Sequence, residues 1–141
     1  MKVKQLSVFL ENREGRLMEV TKILGKSGVN MSAYFVADTS EFGILRVIVS
    51  DPEKAFNVLR EAGFTVRLSD VVCLSCPNHP GALSLALEIL AREEIFIEYM
   101  YAFSSGESAN VILRPTDVDR CIDVLQKNQM ELVSASELYK F

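Results

Sequence analysis

The chain has 141 residues, 49% of them hydrophobic and 24% charged, with a formal net charge of −4. That balance suits one globular domain or two small ones and offers no basic field for phosphates, which argues against nucleic-acid binding. No apolar run reaches the length of a bilayer span, and Met1-Lys2-Val3-Lys4 leads into a strand pattern instead of a signal-peptide core, so a cytoplasmic protein without membrane contact is expected.

From Val3 to Leu10, Leu6, Val8 and Leu10 alternate with Gln5 and Ser7, the pattern of a half-buried strand. A turn over Glu11 to Gly15 follows, after which Leu17, Val20 and Leu24 recur at helical spacing until Gly28 supplies a stop. Strands are predicted over Val29 to Ala37 and Gly43 to Ser50, joined by a short polar loop. Ser50 or Asp51 caps the next helix, Pro52 suits its first turn, Ala55, Val58, Leu59 and Ala62 form its apolar stripe, and Gly63 ends it. Phe64, Val66 and Leu68 then alternate as a fourth strand.

The order β-α-β-β-α-β begins again after Ser69-Asp70. A strand at Val71 to Cys76, a turn at Asn78 to Leu83 and a helix carrying Leu83, Ala86, Leu87 and Leu90 come first. Strands over Ile95 to Phe103 and Ala109 to Leu113 follow. A helix opened by Thr116 or Asp117 and a final strand at Met130 to Ser134 complete the unit. Gly15 and Gly81 stand 66 positions apart, as do Leu17 and Leu83, Ala55 and Cys121, and Leu59 and Leu125. The expectation is an α+β chain of two tandem ferredoxin-like domains, residues 1–70 and 71–141, each an antiparallel sheet with helices on one face. The middle hairpin is expected to differ in length between them. Ile95, Ile97, Tyr99, Tyr101 and Phe103 are expected on one face of their strand, with Phe96, Met100 and Ala102 on the other. Both faces are thus apolar, and the one without helices needs cover from the other half or a second copy, so a homodimer is expected.

Both strand-to-helix turns are candidate sites. Glycine admits a backbone conformation that brings a ligand close, and the first turn of the following helix offers N–H groups without intrahelical acceptors. The N–H groups of Gly15, Arg16 and Leu17 can receive a carboxylate, Asn12 and Asn30 an ammonium, and Tyr34, Phe35 or Phe42 an apolar side chain. The plainer readings are that Asn12 and Asn78 cap helices, that Asn30 forms a turn, that Arg16 and Glu14 are surface charges, and that Tyr99, Tyr101 and Phe103 only pack. Cys73 and Cys76 on one strand face opposite sides, which disfavours a disulfide, and with His79 they lack a fourth ligand, so no metal or cofactor is expected. His79 has no identifiable catalytic partner beyond a weak pairing with Cys76, and the Arg13 loop is too short for an acylphosphatase-like phosphate grip.

Asn12-x-x-Gly15-x-Leu17 with Gly28-Val29-Asn30, and Asn78-x-Pro80-Gly81-Ala82-Leu83, resemble the ACT domain family over essentially the whole chain, twice. The run from Ala37 to Arg46 is similar to that of stand-alone tandem ACT proteins with no attached enzyme. The resemblance implies a non-catalytic regulatory protein that binds a small amino acid between domains through Asn12, Gly15, Arg16, Leu17, Asn30, Asn78, Gly81 and Leu83, with a metabolic enzyme as a possible partner. In the serine-binding members, asparagines matching Asn12 and Asn30 hold the ligand, but a histidine of that site corresponds to Leu10 and Cys76 here, so serine is not implied. The second half has Phe96 in place of Asn30, so one competent type of half-site is expected. The alternative is a structural interaction module or regulatory subunit that binds no ligand.

Overall fold

The computed structural model describes residues 1–11, 13–38 and 42–140. Two compact units emerge, and they exchange their ends. The N-terminal unit comprises Lys4–Ser69 with Ser136–Phe141, and the C-terminal unit Asp70–Ala135 with Met1–Val3.

The N-terminal unit contains β1 (Val3–Glu11), α1 (Arg16–Lys26), β2 (Met31–Asp38), β3 (Phe42–Val49), α2 (Pro52–Glu61) and the start of β4 (Thr65–Pro77). β3 lies antiparallel between β1 and β2, with Leu6 opposite Val47 and Tyr34 also opposite Val47. Leu6, Val8 and Leu10 of β1 bury against Val20 and Leu24 of α1 and Ala55 and Leu59 of α2. Each such large apolar side chain contributes about 1.5–3 kcal/mol on leaving water. The two strands expected on either side of Ser69-Asp70 are one strand, β4, because neither residue forces a turn.

The C-terminal unit continues with α3 (Ala82–Arg92), β5 (Ile97–Ser105), β6 (Ser108–Pro115), α4 (Val118–Lys127) and β7 (Glu131–Leu132). Its antiparallel order is β7-β4-β6-β5, and Val72, Leu74 and Cys76 bury against Ala86, Leu90, Cys121 and Leu125. The last predicted strand shrinks to two residues. The chain then turns into α5 (Ala135–Leu138), whose Leu138 is fully buried in the N-terminal unit, while the Tyr139 hydroxyl accepts from the Lys4 N–H at 2.7 Å.

Two expectations about the hairpins are corrected. Tyr34 pairs Val47 and Met100 pairs Leu113, Val36 pairs Leu45 and Ala102 pairs Val111, so the middle hairpins keep the 66-residue offset and do not differ in length. The sequences diverge there while the backbone register does not. The shared face of β5 is also interrupted: its ladder shifts register between Ile97 and Tyr99, as β2 shifts between Met31 and Ala33. Past this bulge the alternation changes phase, so Ile95 and Ile97 pack on the helix-side core while Tyr101 pairs with Ile112 on the other side. Gln5, Ile48, Cys73 and Ile112 are fully buried, and Arg46 donates to the Ser7 hydroxyl at 3.0 Å.

The helices end alike. The N–H groups of Val29, Phe64, Ile95 and Met130 reach back to the carbonyls of Leu24, Leu59, Leu90 and Leu125 at 2.9–3.0 Å. Each of these pairs also joins two apolar side chains packed in one core, the arrangement of a Schellman stop. The motif needs a left-handed residue just before the donor. Gly28 and Gly63 supply it in the first repeat at φ 73° and 91°, whereas Glu94 and Gln129 are held there at 56° and 61° in the second. Side chains are disfavoured in that region by roughly 1–2 kcal/mol. Glu94→Gly is therefore expected to stabilise the protein by about 1 kcal/mol in urea unfolding; an unchanged or lowered midpoint would contradict the stop as described.

Candidate functional site

Where β1 gives way to α1, Gly15 is the helix N-cap at φ 84°, and Gly81 plays the same part for α3 at φ 89°. Among the described residues neither helix has a side-chain cap at its start, and capping is not the role of Asn78. By contrast Asp51 and Asp117, again 66 positions apart, accept from the N–H groups of Lys54 and Arg120 at 3.2 and 3.0 Å and cap α2 and α4.

Two adjoining hollows open beside the Gly15 turn. The first, about 360 Å³, is lined by Glu11, Arg13, Arg16, Leu17, Val36 and Phe42 together with the turn itself. The second, about 280 Å³, is lined by Leu17, Thr21, Met31, Tyr34, Val36 and Leu45. Leu17 and Val36 belong to both. They are 42% and 46% exposed, and Met18 and Tyr34 beside them are 58% and 61% exposed, a density of uncovered apolar surface on the helix side of the β2 edge.

Arg16 fixes the charge of this place. Its side chain is only 12% exposed, its guanidinium sits 4.1 Å over the Phe64 ring, and it pairs with Glu19 at 2.8 Å and Glu11 at 3.5 Å. Its Nε is buried and finds no acceptor among the described residues. A cation held this way by an aromatic face and two carboxylates is preorganised, losing little side-chain freedom when an anion arrives.

A third hollow, about 310 Å³, lies on the other side of Arg16 and includes Leu10, Glu11, Gly63 and Thr65. Its counterpart in the C-terminal unit, about 330 Å³, is lined by the repeat equivalents Cys76, Pro77, Gln129 and Glu131. The repeat therefore keeps the hollow and changes its chemistry. Pro77 replaces Glu11, His79 replaces Arg13 and Ala82 replaces Arg16, so the charged set exists only in the N-terminal unit.

Of the residues expected to act, Gly15, Arg16 and Leu17 meet at the first hollow. Asn12 lies outside the described residues, as do Thr39, Ser40 and Glu41 of the family-like run. Asn30 is not brought to the turn within its unit. It exchanges backbone and side-chain hydrogen bonds with Ser50 at 2.9 Å, next to the Met31–Val49 pair, whereas the turn adjoins the opposite end of the ladder, where Glu11 meets Phe42. In the C-terminal unit Asn78 is exposed and donates its N–H to Glu107, and Leu83 packs against the core. Of the aromatics, Phe42 lines the polar hollow and Tyr34 the apolar one. Sequence reasoning did not assign Glu11, Val36, Thr21 and Met31 to the site. The alternation of β2, once its bulge is placed, is the signal that puts Tyr34 and Val36 on the helix side.

With this geometry the chain belongs to the ACT domain pair family, which matches residues 1–141 in full. No curated protein matches it. Among solved structures it is similar to protein BT0572 from Bacteroides thetaiotaomicron, with 52% identity over 100% of this chain and 98% of that one and a TM-score of 0.97. It also shares its fold with the regulatory subunit of aspartate kinase from Thermus thermophilus in its ligand-free form, at 14% identity, 88% and 91% coverage and a TM-score of 0.65. The corresponding subunit from Thermus flavus gives 14% identity, 88% and 90% coverage and a TM-score of 0.62. No helix among the described residues is long and apolar enough to cross a membrane.

The three cysteines are free and buried, with Cys76 in the core and Cys73 on the opposite face of β4. Burial pushes the Cys73 thiol from its ordinary 9.0 up to about 12. Burial, aided by the Asp117 charge, pushes Cys121 up to about 11. Unfolded thiols lose their protons first, so these two groups contribute stability below about pH 9 that declines as pH rises towards their folded values. Neither Cys73 nor Cys121 should be alkylated by iodoacetamide at about pH 8.5 until urea unfolds the chain; rapid labelling of either in the folded protein would contradict this burial.

Proposed function

We propose that this protein is a non-catalytic amino-acid sensor of the cytoplasm. The observation that carries the reading is the charged hollow at the left-handed Gly15 turn. Glu11 faces a ligand ammonium, Arg13 and Arg16 a carboxylate, and the first-turn N–H groups of α1 add donors without intrahelical acceptors. Asn12 adds an amide to the same turn on the strength of the family resemblance. The C-terminal turn at Asn78, Gly81 and Leu83 lacks the charges and takes a supporting part.

Asn30 joins the site in a homodimer. β2 is an edge strand, and its helix-side face with α1 exposes Tyr34, Val36, Leu17 and Met18, which together invite a second copy. Antiparallel apposition of two β2 edges carries the start of one strand to the end of the other, so Asn30 of the partner subunit comes to the turn. Ligand binding then stiffens the dimer and alters its hold on a metabolic enzyme. No step of catalysis is assigned: His79 is exposed with its ring beside the Pro80 carbonyl, and no cluster of three metal-ligating side chains forms among the described residues.

A thermal-shift screen of the standard amino acids, followed by calorimetric titration, tests the reading. A ligand at a hundred times its Kd should stabilise the protein by about 2.7 kcal/mol. Asn12→Ala and Arg16→Gln should each weaken binding by about tenfold or more. The absence of heat and of any melting shift at millimolar concentration for every amino acid would remove the sensor role.

A further inference from the structure

We infer that the ligand is a bulky apolar amino acid, of the leucine, methionine or phenylalanine kind, with its charged head in the hollow at the Gly15 turn and its side chain in the adjoining apolar groove. The inference rests on the sensor reading and deepens it. Its ground is the continuity of the two hollows, which share Leu17 and Val36 as a common wall, so a molecule seated at Arg16 can extend its side chain along that wall into the apolar groove.

The groove discriminates by what lines it. Leu17, Met31, Val36 and Leu45 are aliphatic or thioether, and among the described residues Thr21 and Tyr34 bring the polar side-chain atoms. The Thr21 hydroxyl is already committed, donating to the Met18 carbonyl at 2.9 Å. Among the described residues no carboxylate, ammonium or guanidinium lines the groove, so a lysine, arginine, aspartate or glutamate side chain would enter without a counter-charge from them and lose its hydration. Glycine, alanine or serine would leave the space unfilled and forgo the apolar contact that each added methylene provides, about 0.8 kcal/mol. At about 280 Å³ the groove has room for a side chain of about four to seven non-hydrogen atoms, the range from leucine and methionine to phenylalanine.

The apolar face is open on its outer side, and the second copy proposed above closes it. The ligand side chain then lies between α1, β2 and that copy, so an apolar ligand tightens the dimer and a short one does not. The C-terminal unit carries no equivalent preference, since Ala82 stands where the head would need Arg16.

Competition calorimetry on the full chain separates the proposals. Leucine, methionine or phenylalanine should bind at least about tenfold more tightly than serine, aspartate or lysine. Thr21 is exposed, so Thr21→Asp places a carboxylate at the groove without disturbing the core. It should cut leucine or phenylalanine affinity by about tenfold and shrink their advantage over lysine. Tightest binding of serine, aspartate or lysine by the unsubstituted protein, or a selectivity left unchanged by Thr21→Asp, would overturn the apolar assignment while leaving the sensor in place. Binding of no amino acid at all would instead remove both.

Discussion

The left-handed turn at Gly15 is the constraint from which the rest of this molecule's chemistry follows. Only there does β1 stop being a strand and α1 begin without a side-chain cap, with φ at 84° in a position where an added Cβ would meet open space yet strain the backbone. Gly15 has no side chain with which to cap the first-turn N–H groups, and the residues on either side of the turn are brought together. Glu11 from the strand and Arg13 and Arg16 from the turn and helix converge on one hollow. The chain repeats the turn at Gly81 and varies what surrounds it. The two units thus share a scaffold and differ in the charge set placed on it.

Much of this arrangement was legible in the residues. Helical spacing marked all four long helices, alternation marked β1 and β4, and Gly28 and Gly63 marked helix ends that the structure closes with left-handed residues. The same ends in the second repeat carry Glu94 and Gln129, whose side chains hide a left-handed conformation that tertiary packing of Ile95 and Met130 enforces. The register shift beside Ile97 was invisible for a related reason. A bulge adds a residue without changing composition, so alternation counted across it assigns Ile95 and Tyr101 to one face when they occupy two.

The hollow beside Gly15 was legible in its turn and not in its walls. Gly15, Arg16 and Leu17 follow from the strand-to-helix pattern, but Val36 and Met31 reach the groove only through the pairing of β2 with β3, which local sequence does not specify. Asn30 shows the converse limit. Its place in the family pattern suggested one cluster with the turn, yet a helix of 11 residues separates them and carries them to opposite ends of the sheet. A sequence motif names residues without saying how far apart the fold sets them.

The most direct measurement is amide chemical-shift mapping of the full-length protein titrated with leucine or phenylalanine. The account predicts saturable shifts concentrated at Gly15, Arg16, Leu17, Thr21 and Val36, with the Gly81 and Leu83 amides changing little. Equal shifts at the two turns, or shifts confined to residues away from the Gly15 turn, would contradict it.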